Sequence, residues 1–112
     1  MLPIYLVSIV AVKPDRLARV EELATALSNN IEANEPNAVT YQCFTSGTAE
    51  APKLVVWESY ADQAAFDVHN ANPKLQEFVD TQQEEGNFAG PLDIYSLDAF
   101  AGWTCGNPDS KI

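Results

Sequence analysis

The chain has 112 residues, with 16 acidic side chains against 6 Lys and Arg, and a formal net charge of −10. Such a surface repels phosphate backbones and anionic lipid headgroups, so we expect no nucleic acid and no membrane among its partners. With 46% hydrophobic residues, the sequence is too apolar for an acidic disordered tail and long enough for one domain with its own core.

Few residues could hold a metal ion or a cofactor. The sequence contains one histidine, His69, and two distant cysteines, Cys43 and Cys105, whereas a structural zinc site usually has about four nitrogen or sulfur ligands. It has no C-x-x-C pair and none of the glycine-rich patterns that cradle phosphates. We therefore expect neither a metal nor a cofactor.

The first half of the chain predicts a strand, a helix and two further strands. Residues 6–12 form a β-branched run that favours a buried strand over a signal peptide, which indicates a cytoplasmic protein. Pro14 suits the first turn of the following helix, whose apolar residues recur at three- and four-residue intervals over 17–31. Residues 39–44 alternate like a half-buried strand, and residues 53–60 are rich in Val and aromatics.

The second half predicts two helical pieces and a last strand. Residues 61–69 have helix-forming composition, and the Asn-Pro pair at 72–73 looks like an N-cap followed by proline at the first helical position. Residues 92–100 offer the last strand. The order βαββαβ is that of an α+β ferredoxin-like domain over residues 1–100, with a four-stranded antiparallel sheet, and residues 101–112 form an irregular tail.

A sheet of this kind has helices on one face only. The other face is apolar, and an exposed apolar face of several hundred Å2 usually marks an interface, so we expect a homodimer. Strand alternation places Tyr41 on the same face as Val39 and Cys43. It does not indicate which face meets the helices.

Three segments of the chain carry a resemblance to a known family. They are V-A-V-K-P-D at residues 10–15, E-P-N-A-V-T-Y at 35–41 and E-S-Y-A-D-Q-A-A-F-D-V-H at 58–69. The last segment is the most specific, because it combines a glutamate, an aromatic residue and a histidine at fixed spacing. Together the segments resemble the antibiotic biosynthesis monooxygenase (ABM) domain of the dimeric α/β barrel superfamily, and the likeness runs from about residue 4 to residue 97.

Some positions depart from the family's pattern. Asn37 stands in place of the usual glycine, and because asparagine tolerates a left-handed backbone we expect that conformation there. Lys74 replaces the second histidine of the family's S-P-H-F motif, so the role of that imidazole is absent. The haem-degrading branch of the family has a tryptophan where this chain has His69, which argues against haem degradation.

His69 is the main catalytic candidate, because imidazole is the side chain whose ordinary pKa lets it exchange a proton near neutral pH. Glu58 could accept a hydrogen bond from its Nδ1–H and raise its basicity. Tyr60 or Tyr41 could donate to a substrate oxygen. In the alternative interpretation, His69 and Glu58 form a buried pair that only ties helix to sheet.

The resemblance implies a monooxygenase without a cofactor. In such enzymes a small aromatic substrate, a polycyclic phenol, anthrone or quinol, loses a proton and its anion reduces O2 directly. Tyr41, Trp57 and Phe66 could line an apolar slot for the flat ring, although such aromatics more often only fill a core. Two alternatives remain: an isomerase or cyclase that uses His69 without O2, and a non-catalytic small-molecule binding protein.

Overall fold

The structure of the protein, a computed structural model, describes residues 2–104. Its elements follow in the order β1 (Ile4–Ala11), a 3-10 turn (Pro14–Arg16), α1 (Leu17–Asn34), β2 (Ala38–Gly47), β3 (Pro52–Tyr60), α2 (Gln63–Asn70), α3 (Pro73–Glu85) and β4 (Asp93–Leu97). Residues 101–104 form no helix or strand, and the remainder of the predicted tail, with Cys105, lies outside the described residues. None of the helices in the described range combines the length and the apolar composition needed to cross a membrane.

The strands of the described chain form one antiparallel sheet in the order β2-β3-β1-β4. β1 pairs with β3 on one side and with β4 on the other, and β2 pairs with β3. This arrangement confirms the α+β ferredoxin-like fold that the order of predicted elements indicates. β1 and β3 are therefore the central strands, and they supply most of the buried sheet residues.

The helices cover one face of the sheet. On β1, Leu6, Ser8 and Val10 are buried, whereas the residues between them are only partly buried. Leu6 stands opposite Glu58 of β3, and Glu58 stands opposite Tyr41 of β2, so these side chains share the helix-covered face. The helix α1 contributes four buried residues to the same core: Val20, Ala24, Leu27 and Ile31.

The opposite face has no helix over it in residues 2–104. Trp57 of β3 and Tyr5 of β1 stack on this face, with ring centroids 6.1 Å apart. Phe44 and Tyr95 are 45% and 50% exposed on its outer strands. We call this surface the uncovered face, and the strand pairing assigns to it Tyr5, Val7, Ile9, Phe44, Val55, Trp57 and Tyr95.

The predicted left-handed conformation of Asn37 is wrong. Among the described residues, only glycines have a positive φ. The turn between α1 and β2 is made instead by hydrogen bonds around Glu35, whose N–H donates to the Ile31 carbonyl and whose carbonyl accepts from the Ala38 N–H. Because those bonds reverse the chain, Asn37 needs no unusual backbone angle.

Side-chain caps fix the starts of α2 and α3. The Asp62 carboxylate accepts a hydrogen bond from the Ala65 N–H at 2.9 Å, so α2 begins two residues later than the composition indicated. Asn72 accepts from the Lys74 N–H at 2.9 Å, and Pro73 occupies the first turn of α3. The predicted Asn-Pro helix start is confirmed.

An ion cluster joins the start of α1 to the end of α3. Glu85 accepts two hydrogen bonds from Arg19, at 2.9 and 2.8 Å, and one from Arg16 at 3.1 Å. The hydrogen bonds from Arg19 and Asn87 lower the pKa of Glu85 from 4.5 to about 2. The carboxylate form of Glu85 is therefore favoured by folding.

This pKa shift predicts an acid-dependent loss of stability. Since the pKa of Glu85 is lower in the folded chain, its stabilisation is complete above pH 4.5 and is lost as the pH falls toward about 2. Urea unfolding between pH 5 and pH 3 should show a smaller decline for Glu85→Gln than for the unaltered protein. The control Glu50→Gln removes an exposed carboxylate on the β2–β3 hairpin, and an equal effect of both variants would contradict the assignment.

Candidate functional site

His69 lies near the end of α2, above the helix-covered face of the sheet. It is 3% exposed, on the same buried side of α2 as Ala65, four residues earlier. The ring centroids of Tyr60, Tyr41 and Phe66 lie 5.0, 5.8 and 6.5 Å from that of the imidazole. The imidazole therefore faces the interior and is enclosed by aromatic rings.

Glu35 holds one side of this imidazole. It is the C-cap residue directly after α1, and it is 4% exposed. Nδ1 of His69 lies 3.1 Å from Oε1 and 3.3 Å from Oε2 of Glu35. Asn72 donates to Oε2 of the same carboxylate at 2.7 Å and to Oδ1 of Asn30 at 3.0 Å. The carboxylate is thus fixed from a second side, and it favours the tautomer that carries the proton on Nδ1.

Glu58 approaches the other nitrogen of the ring. Its Oε1 lies 3.5 Å from Nε2 of His69 and accepts a hydrogen bond from the Tyr60 hydroxyl at 2.7 Å. Its Oε2 accepts a longer hydrogen bond, 3.4 Å, from Ser8. The expectation that Glu58 accepts from Nδ1–H is therefore wrong, because β3 runs beneath the Nε2 edge of the ring while the end of α1 lies beside Nδ1.

A cavity of about 460 Å3 lies between α2, α3 and the helix-covered face. His69, Glu58, Ser8 and Tyr41 form a polar group in its lining. The apolar part of the lining comes from the sheet, from α2 and α3, and from the segment between α3 and β4. Its residues are Leu6, Val10, Leu54, Val56, Phe66, Leu75, Phe78, Val79, Phe88, Pro91, Leu92 and Ile94. The volume is that of an ordinary small-molecule site, since such pockets enclose about 300–1,000 Å3.

The structure brings together four of the six residues singled out from the sequence. His69, Glu58, Tyr41 and Phe66 all line the cavity. Trp57 does not line the cavity. It directly precedes Glu58 on β3, and because neighbouring residues of a strand face opposite sides of the sheet, Trp57 lies on the uncovered face. Tyr60 is fully buried behind Glu58 and does not line the cavity either, so it positions Glu58 rather than donating to a ligand.

Both tyrosines beside Glu58 are held as neutral phenols. Burial raises the pKa of Tyr41, and the negative charge of Glu58 raises it further. The pKa of Tyr60 is raised by the same two causes and by its hydrogen bond to Glu58. Tyr41, which lines the cavity, is therefore available as a hydrogen-bond donor to a bound molecule.

The described residues contain no group of three or more His, Cys, Asp or Glu side chains arranged to hold a metal ion. Cys43 is half-buried on β2, and burial raises the pKa of its thiol. A thiol in that state is a weak nucleophile and a poor metal ligand.

The chain matches a known protein family and several solved structures. The family model of antibiotic biosynthesis monooxygenases matches residues 3–81. A candidate antibiotic biosynthesis monooxygenase from Caulobacter crescentus CB15 is similar in structure with a TM-score of 0.78 and 28% identity, over 88% of this chain and 91% of that one. No curated protein matches the sequence at a significant level.

More distant structures share the fold. A Mycobacterium tuberculosis protein superimposes with a TM-score of 0.74 at 19% identity, over 90% of this chain and 98% of that one. A Pseudomonas aeruginosa protein does so with a TM-score of 0.73 at 18% identity, over 90% and 97%.

The contacts of Glu35 predict that it stabilises the fold. Glu35→Ala removes the acceptor for Nδ1 of His69 and for the Asn72 amide, so the free energy of unfolding should fall by roughly 2–3 kcal/mol. Urea denaturation at pH 7 measures this loss. The control Glu32→Ala, an exposed carboxylate of the same helix, should change stability by less than about 0.5 kcal/mol. Equal effects would mean that the buried contact contributes nothing.

Proposed function

Because the chain belongs to the antibiotic biosynthesis monooxygenase family, we propose that it is a cofactor-independent monooxygenase acting on a flat aromatic phenol, anthrone or quinol. The observation that carries this proposal is the cavity of about 460 Å3 beside a buried imidazole. Its Nδ1 side is held by Glu35, and its Nε2 side faces Glu58. These contacts support a role for His69 as the base at the wall of a largely apolar cavity.

The first step is removal of a proton from the substrate. When Nδ1–H donates to Glu35, Nε2 of His69 has a free lone pair that can accept a proton from a ring hydroxyl or from an acidic ring carbon. The Tyr41 hydroxyl can then donate to the resulting oxyanion. Apolar walls strengthen both interactions, because little water competes for them.

The second step is the reaction of the substrate anion with O2, and it requires no electrons from the protein. The oxidation of an anthrone is the simplest balanced example of this reaction. Its ring methylene becomes a carbonyl with one oxygen atom of O2, and the two hydrogens of the methylene leave with the other oxygen atom as water. The substrate is oxidised and O2 is reduced, while His69 only moves a proton.

The proposal predicts O2 consumption that depends on His69. With anthrone as the probe, the unaltered protein should consume one O2 per molecule of anthraquinone formed. His69→Gln keeps an amide that can hydrogen-bond with Glu35 but cannot act as the base, so kcat should fall about 100- to 10,000-fold. An oxygen electrode and absorbance of the product measure both rates.

Val68→Ala is the matched control, since Val68 is the preceding residue on α2 and is 54% exposed. Its turnover should equal that of the unaltered protein, and thermal melting should show both variants folded. Conversion that continues without O2 would contradict the monooxygenase proposal and favour an isomerase or cyclase. Binding of the probe without conversion would leave a non-catalytic binding protein.

We also propose that the uncovered face pairs with the same face of a second copy to form a homodimer. Its aromatic and aliphatic side chains are partly exposed across the strands, which is costly for an isolated chain in water. The family resemblance implies the same assembly. A two-fold axis through this face would bring like residues together and bury the Tyr5–Trp57 stack.

The dimer proposal predicts that charged substitutions on the uncovered face lower the molecular mass of the protein in solution. Phe44→Lys combined with Tyr95→Lys changes two side chains that are about half exposed, so the folded chain should persist while the dimer dissociates. Light scattering coupled to gel filtration should give the mass of a dimer for the unaltered protein and of a monomer for the variant. A monomer in both cases would remove the proposal.

A further inference from the structure

Gln82 interrupts an otherwise apolar row on α3. Four residues on one side of α3 line the cavity: Leu75, Phe78, Val79 and Gln82. They share that side because they are spaced by three, one and three residues. Gln82 is 1% exposed. Its Nε2 is the one buried side-chain nitrogen or oxygen in the described residues without a hydrogen-bond partner.

The hydrogen-bond network fixes which end of the Gln82 amide is unpaired. Arg16 carries only donors, and its Nε donates to Oδ1 of Asn87 at 2.7 Å, so the Asn87 amide nitrogen points the other way. That nitrogen donates to Oε1 of Gln82 at 2.8 Å. The carbonyl oxygen of Gln82 is therefore occupied, and the unpaired group is a donor.

Gln82 lies toward the end of the cavity opposite His69. Glu58, beside the imidazole, stands opposite Leu6 of β1. Asn87 is held just beyond the other end of that strand, where its carbonyl accepts a hydrogen bond from the Lys13 N–H. Val10, which also lines the cavity, is four residues beyond Leu6, or about 13 Å along the strand. A molecule of two or three fused rings, with a hydrogen bond at each end, fits such a span.

We propose that Gln82 donates a hydrogen bond to an acceptor oxygen of the bound molecule, at the end opposite the hydroxyl that faces His69. The substrate class is then narrower: a flat aromatic phenol with a carbonyl oxygen at its far end. A buried donor without an acceptor destabilises the fold, and a ligand carbonyl supplies the acceptor. The inference rests on the proposed function, because it takes the cavity as the substrate site.

The test compares two ligands that differ in one feature. 7-Hydroxycoumarin has a hydroxyl and a carbonyl at opposite ends of two fused rings, and 2-naphthol has a similar bicyclic shape and the hydroxyl alone. Fluorescence titration gives both dissociation constants for the unaltered protein and for Gln82→Met, which keeps the side-chain volume and removes the donor. The preference for 7-hydroxycoumarin should fall about fivefold to tenfold in the variant, as expected for the loss of one hydrogen bond.

The ratio of the two affinities separates recognition from a purely structural role, since a distorted cavity would weaken both ligands equally. Gln76→Met, an exposed change of the same type on the same helix, should leave the ratio unchanged. An unchanged ratio in Gln82→Met, with both ligands bound, would overturn the role of Gln82 and leave the proposed site standing. Failure of both ligands to bind the unaltered protein would overturn the site itself.

Discussion

The structure depends on the burial of one imidazole between two carboxylates. His69, Glu35 and Glu58 are each less than a tenth exposed, and removing such groups from water is costly unless each finds hydrogen-bonding partners. Glu35 ends α1, His69 belongs to α2 and Glu58 to β3, so these partners can meet only when all three elements are in place. The same contacts that offset desolvation also set the direction of the ring, which links the fold to the chemistry at its cavity.

Periodicity and capping predict most of the fold because they depend on local sequence. The half-buried strand at residues 39–44 and the Asn-Pro start of α3 agree with the structure, since strand pleating and helix capping involve residues only a few positions apart. The end of β4 is less well predicted. The apolar pattern ran to residue 100, but pairing with β1 ends at the Tyr5–Leu97 pair, one residue from the start of β1.

The candidate site was predictable only in part. The spacing of Phe66 and His69, one helical turn apart, placed both on one side of α2. Trp57 and Glu58 are neighbours on a strand, so alternation alone excludes a cavity that both of them line. The partnership of Glu35 with His69 spans 34 positions, and no local pattern reports it. The E-P-N segment that contains Glu35 was visible as a motif, but its contact with the imidazole required the fold.

Both ends of α3 are tethered by side chains. At one end Asn72 caps the helix and holds Glu35, and at the other Glu85 is bound by Arg16 and Arg19. Swinging this helix outward would break one of these attachments, and at the Asn72 end it would also disturb the support of the imidazole. The exposed rim of the cavity lies instead to the side of this helix, at Leu92, just before the edge strand β4, and at Ile94 within it, which are 44% and 60% exposed.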